Sequence, residues 1–140
     1  MERKSWDNYF ISLAEMVAER STCCRKKVGA VIVRDNAILT TGYNGSISKL
    51  PHCEQDGCIL RDGHCIRTIH AEANAIAQAA KNGISLNNST IYITASPCFG
   101  CFKLLANAGI KHIVFKEPYE DELVQEAWKK TNITMRKIHE

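Results

Sequence analysis

The chain has 140 residues, of which 45% are hydrophobic and 24% charged, and its formal net charge is +3. That predicts one ordinary packed domain over residues 1–140 and excludes a disordered chain. No apolar run is long enough to span a membrane, and no basic run is concentrated enough for a nucleic-acid groove. Neither a membrane nor a nucleic acid is therefore expected as a partner.

The first seven residues are charged and lack the apolar stretch of a signal peptide, which predicts a soluble, cytoplasmic protein. In such a compartment the 7 cysteines read as thiols or metal ligands before disulfides. Trp6, Tyr9, Phe10, Leu13, Met16 and Val17 recur at helical spacing and predict a first amphipathic helix, with the aromatics in the core. Residues 28–33 and 37–42 are β-rich runs joined by Arg34-Asp35-Asn36, a hairpin turn. Residues 44–69 hold three of the 8 glycines and three of the 7 cysteines and show no period. A loop of that length inside one domain is usually functional, metal-stapled or both.

Residues 70–81 are rich in Ala and predict a helix, ended by Asn82-Gly83. Residues 90–94 alternate as a strand. Pro97 suits the first turn of a helix over 98–108, which Gly109 ends. Residues 112–115 read as a short buried strand. Residues 121–130 form a helix with acids in its first turn and lysines in its last, and 133–138 a final strand. The order α-β-β-α-β-α-β-α-β predicts one mixed sheet covered by helices, an α/β fold.

Two fragments of this pattern belong together: His70-Ala71-Glu72 and Pro97-Cys98-Phe99-Gly100-Cys101. A lone Cys-x-x-Cys is compatible with a redox pair or half a structural metal site. A lone His-Ala-Glu is compatible with a helix start carrying an acid for the dipole. Paired, they match the H-x-E and P-C-x-x-C pattern of the zinc nucleobase deaminases. A catalytic zinc takes three protein ligands and leaves a fourth position to water, and His70, Cys98 and Cys101 supply three. All three fall at predicted helix starts, where unpaired N–H groups and the dipole favour thiolate. Glu72, two residues past His70, suits a proton shuttle rather than a fourth ligand. The expected chemistry is hydrolytic. Glu72 takes a proton from water at the metal, the water attacks C4 of a cytosine, and Glu72 returns protons to N3 and to the departing ammonia.

Beyond these fragments, the chain resembles the deoxycytidylate (dCMP) deaminases of the phage and bacterial type. The resemblance is carried by Val28-Gly29-Ala30-Val31-Ile32-Val33, by Thr41-Gly42-Tyr43-Asn44-Gly45-Ser46, by the run from Arg67-Thr68-Ile69-His70 to Ala75-Ile76, and by Ser96-Pro97-Cys98-Phe99-Gly100-Cys101. Cytidine deaminases usually place Cys where His70 stands, and tRNA deaminases usually carry Asp-Pro where Arg67-Thr68-Ile69 stands. The resemblance implies a cytidine-deaminase-like three-layer α/β/α sandwich with a mixed five-stranded sheet, often a homohexamer. It implies conversion of dCMP to dUMP for thymidylate synthesis, with dCTP and dTTP as allosteric effectors. Asn44 would bond the sugar hydroxyl, and the backbone around Ala71 and Ser96 would read the cytosine edge. Arg25, Lys26 and Arg67 would meet the phosphate, with Tyr119 a further contact. Arg25 and Lys26 are equally compatible with a solvated turn.

The remaining cysteines resemble the second, structural zinc site of such proteins, a staple for a long irregular loop. Cys23, Cys53 and Cys65 are the first choices, completed by Cys58 or His64; Cys24 and His52 lie close by in sequence. Free buried thiols are the alternative. The expected cofactor is Zn2+, one catalytic and a second structural. The rival functions are a related zinc deaminase acting on a free nucleoside, a modified cytosine nucleotide or an RNA base, and a zinc-stapled binding module without catalysis.

Overall fold

Side-chain alternation on the strands decides the layers. In β1 (Gly29–Arg34), Ala30 and Ile32 are buried on one face of the sheet and Val31 and Val33 on the other. The same division runs through β5 (Ser89–Ala95), with Ile91 and Ile93 opposite Tyr92, and through β6 (Ile110–Glu117), with Ile113 opposite Val114. A sheet that is apolar on both faces needs cover on both. The computed structural model describes residues 2–23, 26–61 and 64–139, with the side chains of Glu54, Asp56, His64 and Cys65 outside that description.

The five-stranded sheet has the order β2-β1-β5-β6-β7, with β2 at Ala37–Tyr43 and β7 at Thr134–Lys137. β1 is antiparallel to β2 and β5, whereas β5, β6 and β7 are parallel. One face is covered by α1 (Trp6–Ala18), through Phe10, Ile11 and Ala14. The other carries α3 (Ala71–Lys81), α4 (Phe99–Ala108) and α5 (Glu122–Lys129) around Ala75, Phe102, Leu105 and Val124. This is the expected three-layer α/β/α sandwich with a mixed five-stranded sheet.

Several details differ from the sequence expectation. The buried face of α1 is Phe10, Ile11, Ala14 and Ala18, while Trp6, Tyr9 and Met16 are exposed. Small residues let the helix lie close on the sheet, and the exposed Trp6 stacks from outside on the buried Phe10, with ring centroids 5.6 Å apart. The hairpin turn is Asp35-Asn36 alone. Both residues have positive φ (53° and 61°), as a two-residue turn matched to strand twist requires. Pro97 precedes the N-cap of α4, which is Cys98, rather than opening the helix. The segment 44–69 is not devoid of structure. It holds α2 (Cys53–Asp56) and a hairpin of β3 (Leu60–Arg61) with β4 (His64–Cys65), elements too short to leave a periodic signature. No helix among the described residues is long and apolar enough to cross a membrane.

Candidate active site

The site forms where β2 and β5 deliver the chain into α3 and α4. Gly42 is what allows α3 to sit so near the sheet: a Cβ there would collide with the Ala71 carbonyl and the Ala75 N–H. Thr40 donates its hydroxyl to the Ala75 carbonyl at 2.9 Å, and the Asn74 amide donates to the Tyr43 carbonyl at 2.8 Å. Both bonds hold the first turns of α3 against β2. An isolated bridge pairs Gly45 with Ile69, so the loop after β2 enters beside His70.

His70 is the N-cap of α3 and Cys98 the N-cap of α4, with Cys101 in the first turn of α4. The His70 side chain makes no bond to α3, and the Cys98 sulfur faces His70 as well as Cys101. His70 Nδ1 lies 3.3 Å from Cys101 Sγ and 3.5 Å from Cys98 Sγ. The ligand atoms of the three residues lie within 4.8 Å of one another, and among the described residues they are the grouping of metal-binding side chains. One imidazole and two sulfurs at this spacing fit a tetrahedral zinc with one position left over.

Glu72, in the first turn of α3, is 5% exposed. Its carboxyl accepts a hydrogen bond from the Cys101 thiol and feels the charges of His70 and Cys98, so it faces the same cluster. Burial holds its pKa above the ordinary carboxylate value, against the lowering effects of its own backbone N–H and of His70. In the metal-free protein the two sulfurs are unequal. Hydrogen bonds from Cys101 and His70 bring Cys98 down to about 4, a thiolate. Cys101 is pushed up by its bond to that thiolate and by burial, and keeps its proton. The bond to Cys98 also raises His70, against desolvation. A metal bound here must displace protons.

The expected substrate residues fall into two groups. Lys26, Asn44, Ser96 and Tyr119 come to one rim of the sheet. Asn44 is buried; its Oδ1 accepts from the Val28 N–H at 2.8 Å and its Nδ2 donates to the Lys26 carbonyl at 2.6 Å. Its side chain therefore shapes the entry to β1, with one further hydrogen-bonding position on each atom. Lys26 Nζ is exposed, 3.9 Å from Glu117 Oε2. The Ser96 N–H is given to the Glu117 carbonyl, and Ser96 Oγ both donates to the Tyr119 carbonyl and accepts from its N–H. Ala71 is buried at the head of α3. Arg67 lies apart: its guanidinium donates to the carbonyls of Gly57 and Pro51, at 2.9 and 3.3 Å, and so fastens the cysteine-rich loop. Arg25 lies outside the described residues.

In that loop Cys53 is buried and Cys58 is disulfide-bonded; Cys23, between α1 and β1, is half-buried, and neither it nor Cys53 is in a disulfide. The side chains of His64 and Cys65 fall outside the described residues. A cleft of about 530 Å³ opens on the α5 side of Ser96, Pro97 and Tyr119. Its rim carries Glu120, Glu122 and Glu126 and none of the His70 cluster, so it offers no counter-charge for a phosphate. The supporting bonds of Asn74 and Thr40 were not legible in the sequence, because their partners are backbone atoms more than thirty positions away in the chain.

A His-Cys-Cys cluster flanked by a buried carboxyl, on the α3/α4 side of a mixed sheet, defines a zinc-hydrolase type of centre. Comparison with known proteins gives the family. The sequence profile described as "Cytidine and deoxycytidylate deaminase zinc-binding region" matches residues 4–117. ComE operon protein 2 of Bacillus subtilis is 44% identical over 139 residues, covering 99% of this chain and 74% of that one. The deoxycytidylate deaminase of Saccharomyces cerevisiae is 37% identical over 97% of this chain, which spans 46% of that relative's length. Among solved structures, the dCMP deaminase of cyanophage S-TIM5 in complex with dCMP and dUMP superposes with a TM-score of 0.85 at 30% identity, covering 99% of this chain and 100% of that one. The chain belongs to the cytidine and deoxycytidylate deaminase family.

Proposed function

We propose that this protein is a zinc-dependent hydrolase that deaminates dCMP to dUMP with release of ammonia, as a single deaminase domain. One observation carries the proposal: His70, Cys98 and Cys101 converge within 4.8 Å, with the buried Glu72 carboxyl in contact with Cys101. The likeness to proteins named deoxycytidylate deaminase supports dCMP as the substrate.

His70, Cys98 and Cys101 would hold the metal. Bound there, zinc supplies Lewis acidity that makes water a nucleophile near neutral pH. Glu72 does the proton work. Its raised pKa lets it accept a proton from water and deliver it to N3 of the pyrimidine, then take the remaining proton of the hydroxyl added at C4 and pass it to the leaving amine as the C–N bond breaks. Burial keeps bulk water from competing for those protons. Lys26 and Asn44 on one side of the rim, and Ser96 and Tyr119 on the other, would position the nucleotide, with the backbone of Ala71 facing the ring and Arg25 available for the phosphate. Arg67 serves the substrate through the loop it fastens.

The proposal extends to a homohexamer in the cytoplasm, to regulation by dCTP and dTTP, and to the supply of dUMP for thymidylate synthesis. A second, structural zinc would use Cys23, Cys53 and Cys65 with Cys58 or His64, once Cys58 is reduced. Two zincs per chain by elemental analysis of reduced protein supports that site; one zinc removes it.

The test of the activity is spectrophotometric, because deamination changes the ultraviolet spectrum of the base. dCMP, cytidine and a short RNA are supplied separately to the zinc-loaded protein. Turnover of dCMP well above the others is expected. Preference for cytidine or RNA would move the protein to a neighbouring branch of the family, and a zinc-loaded protein inert on all three would be a binding module.

A further inference from the structure

We propose that Asp121 is a positioning residue for the metal thiolates, acting through the first turn of α4. The proposal rests on Cys98 and Cys101 being metal ligands.

A helix leaves its first N–H groups without partners, and a side chain at the N-cap usually accepts from one of them. At the start of α4 the N-cap is Cys98, whose sulfur is turned toward His70 and is bonded within α4 only by Cys101. The Phe99 N–H is taken up from outside. Asp121 Oδ2 accepts the Phe99 N–H at 3.1 Å, across 22 positions of sequence. Its other oxygen, Oδ1, accepts the Leu123 N–H at 3.0 Å and caps α5 in the ordinary way. One carboxylate thus closes two helix N-termini, and its charge opposes the positive end of both dipoles. A side chain with one acceptor oxygen serves only one of them.

The residue held is Phe99, between the two cysteines. Fixing its N–H fixes the turn in which both sulfurs must converge on His70. Ser96 is gripped on the other side of Pro97-Cys98 by Glu117 and Tyr119. The segment 117–121 therefore holds 96–99 at both ends, and Asp121 is its contact nearest the sulfurs. Taking up the Phe99 N–H keeps that turn of α4 closed while the Cys98 sulfur faces His70.

The discriminating variant is Asp121→Ser. Serine caps α5 as well as aspartate does, but its single short hydroxyl does not reach Phe99 as well. Zinc affinity is read by competition with a chromophoric chelator, and ligand geometry by the thiolate-to-metal charge-transfer band of the Co2+-loaded protein. About 10-fold or greater loss of zinc affinity, an altered cobalt spectrum and a lower kcat at unchanged KM for dCMP are expected. Wild-type affinity with an unaltered cobalt spectrum would overturn the proposal and leave Asp121 as a cap of α5 alone. Should Asp121→Ser not fold, Asp121→Asn, which has one acceptor oxygen in nearly the same shape, is subject to the same two outcomes. Cys98→Ser separates this proposal from the one beneath it. A weakened charge-transfer band, from the Cys101 thiolate alone, is expected, and an undiminished band would overturn the ligand assignment whatever Asp121 does.

Discussion

Burial changes what a carboxyl can do, and Glu72 is the instance here. Exposed on a helix surface it would be a spectator anion; at 5% exposure beside Cys101 it retains a proton at pH values where ordinary carboxylates have lost theirs. Glu72→Gln keeps the shape and loses the proton traffic. Its kcat is expected to fall by at least about 10²–10⁴-fold with zinc affinity unchanged; near-native kcat would remove Glu72 from the mechanism. The sulfurs give a second prediction. Cys101 is pushed up by its bond to Cys98 and by burial, so it carries a proton that zinc must displace, and the bond to Cys98 also raises His70. Metal affinity therefore falls as pH falls, by roughly ten- to a hundredfold per unit for one or two protons released. Chelator competition across pH 6 to 8 measures it, and a flat profile would contradict it. At this scale the sequence was largely legible. The spacing of Cys98 and Cys101, and of His70 and Glu72, places each pair within one helical turn wherever the helices lie. The task of Asp121 was not legible. Its first oxygen is announced by an acid at a helix start, its second only by the fold that carries Phe99 to it.

Elements hold these residues by close approach, and the closest is α3 on β2. Gly42→Ala drives a methyl group into the Ala71 carbonyl and the Ala75 N–H, so helix and strand must part. A loss of about 1–3 kcal/mol is expected, seen as a lower melting temperature accompanied by weaker zinc binding. An unchanged melting temperature would show that the helix shifts without cost. On the opposite face, the Tyr92 hydroxyl donates to Asp7 Oδ1 at 2.8 Å, while Asp7 Oδ2 accepts from Arg136 at 2.6 Å. Burial first and Asp7 second hold the Tyr92 pKa above its ordinary value of about 10. Because the folded value is the raised one, this contribution to stability is full below pH ~10 and drains away as pH climbs beyond it. Denaturant titrations should show that alkaline decline in the wild type and a shallower one in Tyr92→Phe; identical slopes would contradict it. Periodicity made the long elements readable, since each has an apolar face to bury. It misjudged the face of α1, where Ala14 and Ala18 lie against the sheet and Trp6 stacks outside. It missed α2 and the β3/β4 hairpin, which are too short to repeat anything.

For the whole molecule, the strand order β2-β1-β5-β6-β7 explains why residues far apart in sequence share one site. Antiparallel β1 lies between β2 and β5, which lead into the segments bearing His70 and Cys98, while parallel β6 brings Tyr119 and Asp121 alongside. The linear sequence predicted a mixed sheet but not this order, because pairing depends on contacts that no local pattern encodes. The same layout is shared with the S-TIM5 enzyme along 99% of this chain. Every role assigned to these residues requires zinc-dependent turnover of dCMP. Protein stripped of metal and then titrated with zinc, with dUMP and ammonia quantified from dCMP, measures that turnover directly. Activity absent without metal, rising with zinc to saturation, and yielding dUMP and ammonia in equal amounts is the predicted result. A folded, zinc-saturated protein that leaves dCMP unchanged would contradict it.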